Sequence, residues 1–224
     1  PHHQGPLRRR AGSAVRAVIG ETDLALETST GTLHGTLLTP EIWKTDSIVL
    51  IQPESGPVDR DGNTPGLRNN CLRKLAEALA DRAIASLRID KRGVGASGPS
   101  GRSESALRIE TYSEDLINWG RLIHSRHRDA RVFLLGHSEG ALIATIASHT
   151  VHPCGVILIS GAGLPAAELI QSQCEAANLT PKTLEITRSI LSALQAGNTY
   201  PDPPTELSTL FRETVQPYLI SWFR

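Results

Sequence analysis

Arg131–Ser148 reads RVFLLGHSEGALIATIAS, and this stretch decides the fold. Arg131–Leu135 is a short apolar run, the mark of a strand buried on both faces. From Ser138 onward the residues are small and apolar, the composition of a closely packed helix. Between them lies Gly136-His137-Ser138-Glu139-Gly140, a G-x-S-x-G pattern at a strand-to-helix junction. The pentapeptide alone is weak, because with Gly and Ser each near 7% of residues chance supplies it in roughly one chain in ten of this length. The context gives it weight. Such a turn lifts a serine hydroxyl above the sheet edge. Glycine at 136 and 140 has a steric reason: strand and helix cross too closely there for a Cβ. The helix N-terminus also turns free N–H groups toward Ser138, which favours a developing negative charge.

The same alternation extends outward. Asp23–Ser29 and Leu33–Leu37 alternate apolar and polar residues around Thr30-Gly31, which predicts a hairpin. Ser47–Gln52 is a buried strand, and Pro53–Gly66 is a loop rich in Pro, Gly and Asp. Leu67, Cys71, Leu75 and Leu79 recur every four residues and predict an amphipathic helix. Ala83–Ile89 is the next strand, followed by a Gly/Ser loop from Gly93 to about Ser105. Thr111-x-x-Glu114 reads as a capping box opening a helix with Leu116, Trp119, Gly120 and Ile123 on one face. Gly155–Ile159 is a sixth strand. Strands alternating with helices predict an α/β fold with a doubly wound, mostly parallel sheet.

After Gly163 no strand-like run recurs. Pro165–Leu179 and Pro181–Ala196 read as helices, the second capped by Thr180 and stopped by Gly197. A Pro-rich loop, Tyr200–Pro204, leads to a last helical stretch ending at Trp222. The expected organisation is a flexible segment at 1–20, a core at 21–163 and a helical cap or lid at 164–224.

The chain has 224 residues, 23 Lys+Arg against 23 Asp+Glu, 39% hydrophobic residues and no Met. A chain of this length buries about 70% of its unfolded surface. Zero net charge argues against a nucleic-acid partner, whose footprint is a basic face. No apolar stretch approaches the roughly 18 residues of a membrane helix, so no membrane partner is expected. Cys71, Cys154 and Cys174 form no CxxC and are odd in number. They read as small buried or half-buried thiols in a reducing compartment, which tilts the localisation toward the cytoplasm. His152 and Cys154 have no further ligand at zinc spacing, and nothing points to a cofactor. Pro1–Arg16 is basic without the apolar run of a signal peptide. A chain that opens on Pro1 and lacks Met reads as one whose first residue is not the translation start.

Three motifs together resemble the α/β-hydrolase superfamily, in its serine-aminopeptidase-like, esterase-like branch. They are Glu54-Ser55-Gly56-Pro57-Val58-Asp59-Arg60-Asp61-Gly62-Asn63 after the third strand, Asp90-Lys91-Arg92-Gly93-Val94-Gly95-Ala96-Ser97 after the fourth, and Gly136–Gly140 after the fifth. The resemblance implies that Ser138 is the nucleophile of acyl transfer on a small-molecule ester or amide. It implies an oxyanion hole made by the backbone N–H groups of Ser55 and Glu139. The family usually has Gly at the position of Glu54, so a carboxylate stands close to the first donor. Asp59, Arg60, Asp61, Asp90 and Arg92 read as loop braces.

Acyl transfer by serine needs a base and an acid to orient it, in the chain order Ser, Asp/Glu, His. After Ser138 the only Asp is Asp202, and no His follows it. His149 lies eleven residues along the helix from Ser138, roughly 16 Å at the helical rise. His152 is no better placed, and the side chain of His137 diverges from its neighbour. Six strands are counted where the superfamily core commonly has eight. The expectation is therefore a C-terminally truncated serine hydrolase whose triad acid and histidine lie outside these residues. The alternatives are a non-catalytic small-molecule-binding or interaction protein on the same scaffold, and an oligomer whose partner supplies the histidine. The oligomeric state is not readable from the sequence.

Overall fold

The computed structural model describes residues 19–43, 46–101 and 103–224. Among them six strands form one sheet: β1 (Ile19–Thr28), β2 (Gly31–Pro40), β3 (Ser47–Gln52), β4 (Ala85–Ile89), β5 (Arg131–His137) and β6 (Gly155–Ile159). The spatial order is β1-β2-β4-β3-β5-β6. β1 and β2 pair antiparallel, as do β2 and β4, and all later pairs are parallel. The register sets Gln52 opposite Gly136, and Gly136 opposite Leu158. The loops after β3, β4 and β5 therefore leave the sheet at one carboxyl edge, where open α/β sheets place their ligands.

Alternation along each strand sorts the apolar side chains between two faces. Ile48, Leu50, Leu87, Ile89 and Leu134 face α2 (Ile109–Arg126) and α3 (Glu139–Val151), and pack on Leu116, Trp119, Ile123, Ile143 and Ala147. Val49, Ile51 and Leu135 face the other way, onto Leu72 and Ala76 of α1 (Cys71–Ala80). Full burial of each such side chain contributes about 1.5–3 kcal/mol. Gly120 of α2 faces Val151 at the end of α3, where a Cβ would come within 3.1 Å of the valine, so the absence of a side chain sets how closely these helices pack.

Beyond β6 come α4 (Ala166–Ala176), α5 (Pro181–Gln195), α6 (Ser208–Phe211) and α7 (Gln216–Trp222). They gather around their own apolar cluster, which includes Ile170, Ile190, Leu194, Phe211 and Leu219. Thr180 caps α5 by accepting from the Thr183 N–H at 3.1 Å, and Gly197 follows at φ 83°. The Ile109 N–H at the head of α2 donates to Ser221 Oγ of α7 at 2.9 Å, which ties this cluster to the sheet-bearing part.

Several local expectations are corrected. α1 starts at Cys71, not Leu67, and its buried stripe is Leu72, Ala76 and Ala80. The repeat of Leu67, Cys71, Leu75 and Leu79 lies one residue off that stripe. α2 begins at Ile109, so Thr111 sits inside it and its hydroxyl accepts from the Arg108 N–H. Cys71 and Cys154 are exposed, and Cys174 alone is buried. β1 begins at Ile19, so it takes the last two residues of the segment expected to be flexible, and 1–18 lie outside the described residues. The helices after Gly163 do not cover the last strand. Val156, Ile157, Leu158 and Ile159 are 36–55% exposed at the sheet edge. Among the described residues no helix is long and apolar enough to cross a membrane.

Arg92 and Asp115 join the loop after β4 to α2 through two hydrogen bonds of 2.6 Å, both side chains being buried. Removing one partner of such a pair strands the other charge at a cost of about 3–5 kcal/mol. Asp115→Asn is therefore expected to lower the unfolding free energy by about 3 kcal/mol in urea. A loss below about 1 kcal/mol would show that this pair does not anchor the loop.

Candidate active site

Ser138 stands between the end of β5 and the start of α3 with φ 52° and ψ −120°. A side chain at such a φ costs about 1–3 kcal/mol and persists only where the surroundings impose it. Two hydrogen bonds impose it here. The Ser138 N–H donates to the Ile159 carbonyl and its own carbonyl accepts from the Ala141 N–H, each at 2.9 Å. The crossing of β5 and α3 supplies the rest. A Cβ on Gly136 would strike the Gly140 carbonyl, and one on Gly140 would lie 2.5 Å from the Gln52 carbonyl oxygen. Gly140 thus presses α3 onto the end of β3, which brings the loop carrying Ser55 beside the Ser138 turn.

That loop is braced from within and from the loop after β4. Asp59 Oδ1 accepts from the Asp61 and Asn63 N–H groups at 2.9 and 2.8 Å. Asp90 accepts from the Arg60 backbone N–H at 2.7 Å and from its guanidinium at 2.7 and 3.0 Å. Buried Arg88 pairs with Asp61 and, at 3.0 Å, with Glu21. The Glu54 carboxylate turns sideways, with Oε1 3.4 Å from His137 Nδ1. Ser55 is exposed, and its N–H and that of Glu139 have no acceptor among the described residues.

The side chains beneath these two amides carry an unusual charge arrangement. The Glu139 carboxyl is 5% exposed, and burial pushes its pKa up, a rise opposed by nearby Lys91. The Lys91 ammonium is also buried. Burial pulls its pKa down, and the charges of Glu139 and Glu54 oppose that fall. Its Nζ donates to the Glu54 carbonyl and lies 5.7 Å from the centre of the Tyr112 ring. Tyr112 and Tyr218 meet edge to face at 5.7 Å, and burial raises both phenol pKa values. The Tyr218 hydroxyl is buried beside the Glu139 carboxyl, whose charge adds to the rise of its pKa. These groups line a cavity of about 340 Å³, bordered by Gly56 and Pro57 on one side and by Val215 on the other.

The structure therefore brings Ser138, Glu139, Gly136, Gly140 and His137 into one turn and sets Ser55 on the neighbouring loop. It brings no imidazole to the Ser138 hydroxyl, which has no hydrogen-bond partner among the described residues. His149 lies near the far end of α3 and His152 follows that helix. Sequence reasoning read Lys91 only as part of a motif and gave Tyr112 and Tyr218 no role. A lysine two residues past a buried strand, at the edge that carries the serine, was the available signal for the first. The tyrosines meet only through the packing of α7 on α2, which no local pattern encodes.

The fold is that of the α/β hydrolases. The family model for serine aminopeptidase, S33, matches residues 68–214, and the chain belongs to that family. Among solved structures, it is similar to an α/β serine hydrolase without lid from Xanthomonas campestris. That pair is 20% identical, with 62% of this chain and 60% of the other covered and a TM-score of 0.50. An esterase from Pyrococcus furiosus aligns at 18% identity over 75% of this chain and 60% of its own, with a TM-score of 0.55. An α/β hydrolase from a Penicillium species aligns at 16% over 88% and 63%, with a TM-score of 0.54. The chain thus spans about 60% of the length of these structures. No curated protein matches it.

Two consequences are measurable. Glycine tolerates the Ser138 backbone conformation without strain, so Ser138→Gly should raise the unfolding free energy by about 1 kcal/mol after the entropy cost of glycine. A destabilised Ser138→Gly would contradict the strain. Glu139 has its folded pKa raised above 4.5, so its contribution is fully present below that value and lost as pH rises through the folded pKa. Relative to Glu139→Gln, the wild type should lose stability as pH climbs from 4 toward neutrality, read from urea midpoints at each pH. A pH-independent difference would refute the raised pKa.

Proposed function

We propose that the chain carries the nucleophile half of a serine hydrolase acting on carboxylic esters or amides. The observation that carries this reading is Ser138 held at φ 52° between two backbone hydrogen bonds, at the sheet edge where the family's catalysis resides. Ser138 Oγ attacks the acyl carbon, its proton passing to the departing alcohol or amine, and water then cleaves the acyl–serine ester to release the acid and restore the hydroxyl. The oxygen that becomes negative is met by the N–H groups of Ser55 and Glu139. Residues 164–224 act as a cap, with Val215 and Tyr218 bordering the cavity that receives the acyl or amine portion. The general base and its acid partner are not among the histidines and carboxylates placed at Ser138 here.

A second reading, a binding or interaction protein without turnover on this scaffold, is favoured by the same unpartnered Ser138 hydroxyl. The two separate on supply of an external base. Imidazole in solution should support hydrolysis of p-nitrophenyl acetate by the wild type at least about tenfold above Ser138→Ala, since general-base help contributes roughly 10²–10⁴-fold when well placed. Equal rates in the two proteins at every imidazole concentration would overturn the hydrolase reading and favour the binding one.

A further inference from the structure

Lys91 is the one buried ammonium at the carboxyl edge among the described residues, and its position has a geometric consequence. A peptide unit is planar and trans, so the carbonyl of one residue and the N–H of the next point in opposite directions and turn together. The Glu54 carbonyl and the Ser55 N–H belong to one such unit, and the chain has no cis peptide among the described residues. Lys91 Nζ donates to that carbonyl from inside the protein. Fixing the oxygen inward therefore fixes the Ser55 N–H outward, away from the core. The ammonium is itself held in place, by the Tyr112 ring and by the charge of the Glu139 carboxyl. Glu139 is also the residue that offers the second N–H at the start of α3. One buried cation thus fixes the Glu54–Ser55 peptide unit and lies within the influence of the Glu139 charge.

We propose that Lys91 is a positioning residue: by holding the Glu54 carbonyl it aims the Ser55 N–H at the oxyanion. The proposal rests on the hydrolase reading above for its catalytic consequence, though not for the orientation of the peptide unit. An ordinary core lysine would affect stability alone. A lysine that orients a donor to the transition state affects kcat with little change in KM, because the donor is used only when charge develops on the acyl oxygen.

The test has two readouts on the full chain. In ¹⁵N–¹H spectra, Lys91→Met should displace the Ser55 amide resonance and speed its hydrogen exchange. Lys74→Met, at an exposed site on α1, should leave that resonance in place. In imidazole-supported hydrolysis of p-nitrophenyl acetate, Lys91→Met should lower kcat about 10- to 100-fold with KM within about twofold, less than complete loss of an oxyanion donor. Should the lone substitution fail to fold, Lys91→Met with Glu139→Gln removes both buried charges, and the same shift at Ser55 is expected. An unmoved Ser55 amide overturns the proposal, as does an unchanged kcat in a wild type that turns over. A wild type without Ser138-dependent turnover overturns the hydrolase reading, and the Ser55 resonance then decides the positioning by itself.

Discussion

The structure depends on one steric constraint, the crossing of β5 over α3 at Gly136 and Gly140. The backbones approach so closely that a Cβ at either position would overlap a main-chain atom. The chain must therefore reverse within a single residue, and that residue is Ser138, at positive φ. The Ile159 carbonyl at the end of β6 takes its N–H, so the sheet itself holds the strain. The same approach sets Gly140 against the carbonyls of Gln52 and Pro53, which fixes where the loop after β3 can run. The serine and the candidate oxyanion donors share one edge because of this contact.

Around that contact the loops are fastened by charge. Arg60 reaches Asp90, Arg92 reaches Asp115, and Lys91 reaches the Glu54 carbonyl. Each of these groups loses water on burial, and such pairs seldom add net stability over apolar side chains of equal volume. Their effect is on geometry. Arg60 joins the loops after β3 and β4, and Arg92 joins the latter to α2. A loop held by directional bonds at several points keeps its amide directions, which an apolar contact would not specify.

The core elements were legible in the sequence because their signals are local. SIVLIQ at Ser47–Gln52 and GVILI at Gly155–Ile159 are strands with those bounds. The glycine pair around Ser138 reveals the turn because its steric demand falls within five residues. The start of α1 was misread because apolar spacing by fours fits two neighbouring faces of a helix, and only packing on Val49 and Ile51 selects Leu72 over Cys71. The Lys91–Glu139–Tyr218 grouping was not legible, since it joins the loop after β4, the start of α3 and the body of α7, and sequence pattern does not report which helix face turns inward. The exposure of β6 likewise depends on where the helices after Gly163 settle, which is on α2 and not on the last strand.

The central claim is that the Ser138 turn presents an acylatable nucleophile beside two amide donors. The most direct measurement is the intact mass of the protein after exposure to an alkyl fluorophosphonate in imidazole buffer, which supplies the base, the serine adduct placing a phosphoryl oxygen where the oxyanion would sit. The account predicts a single adduct that maps to the peptide containing Ser138 and is absent in Ser138→Ala. An unmodified protein, or labelling that persists at the same rate in Ser138→Ala, would contradict it.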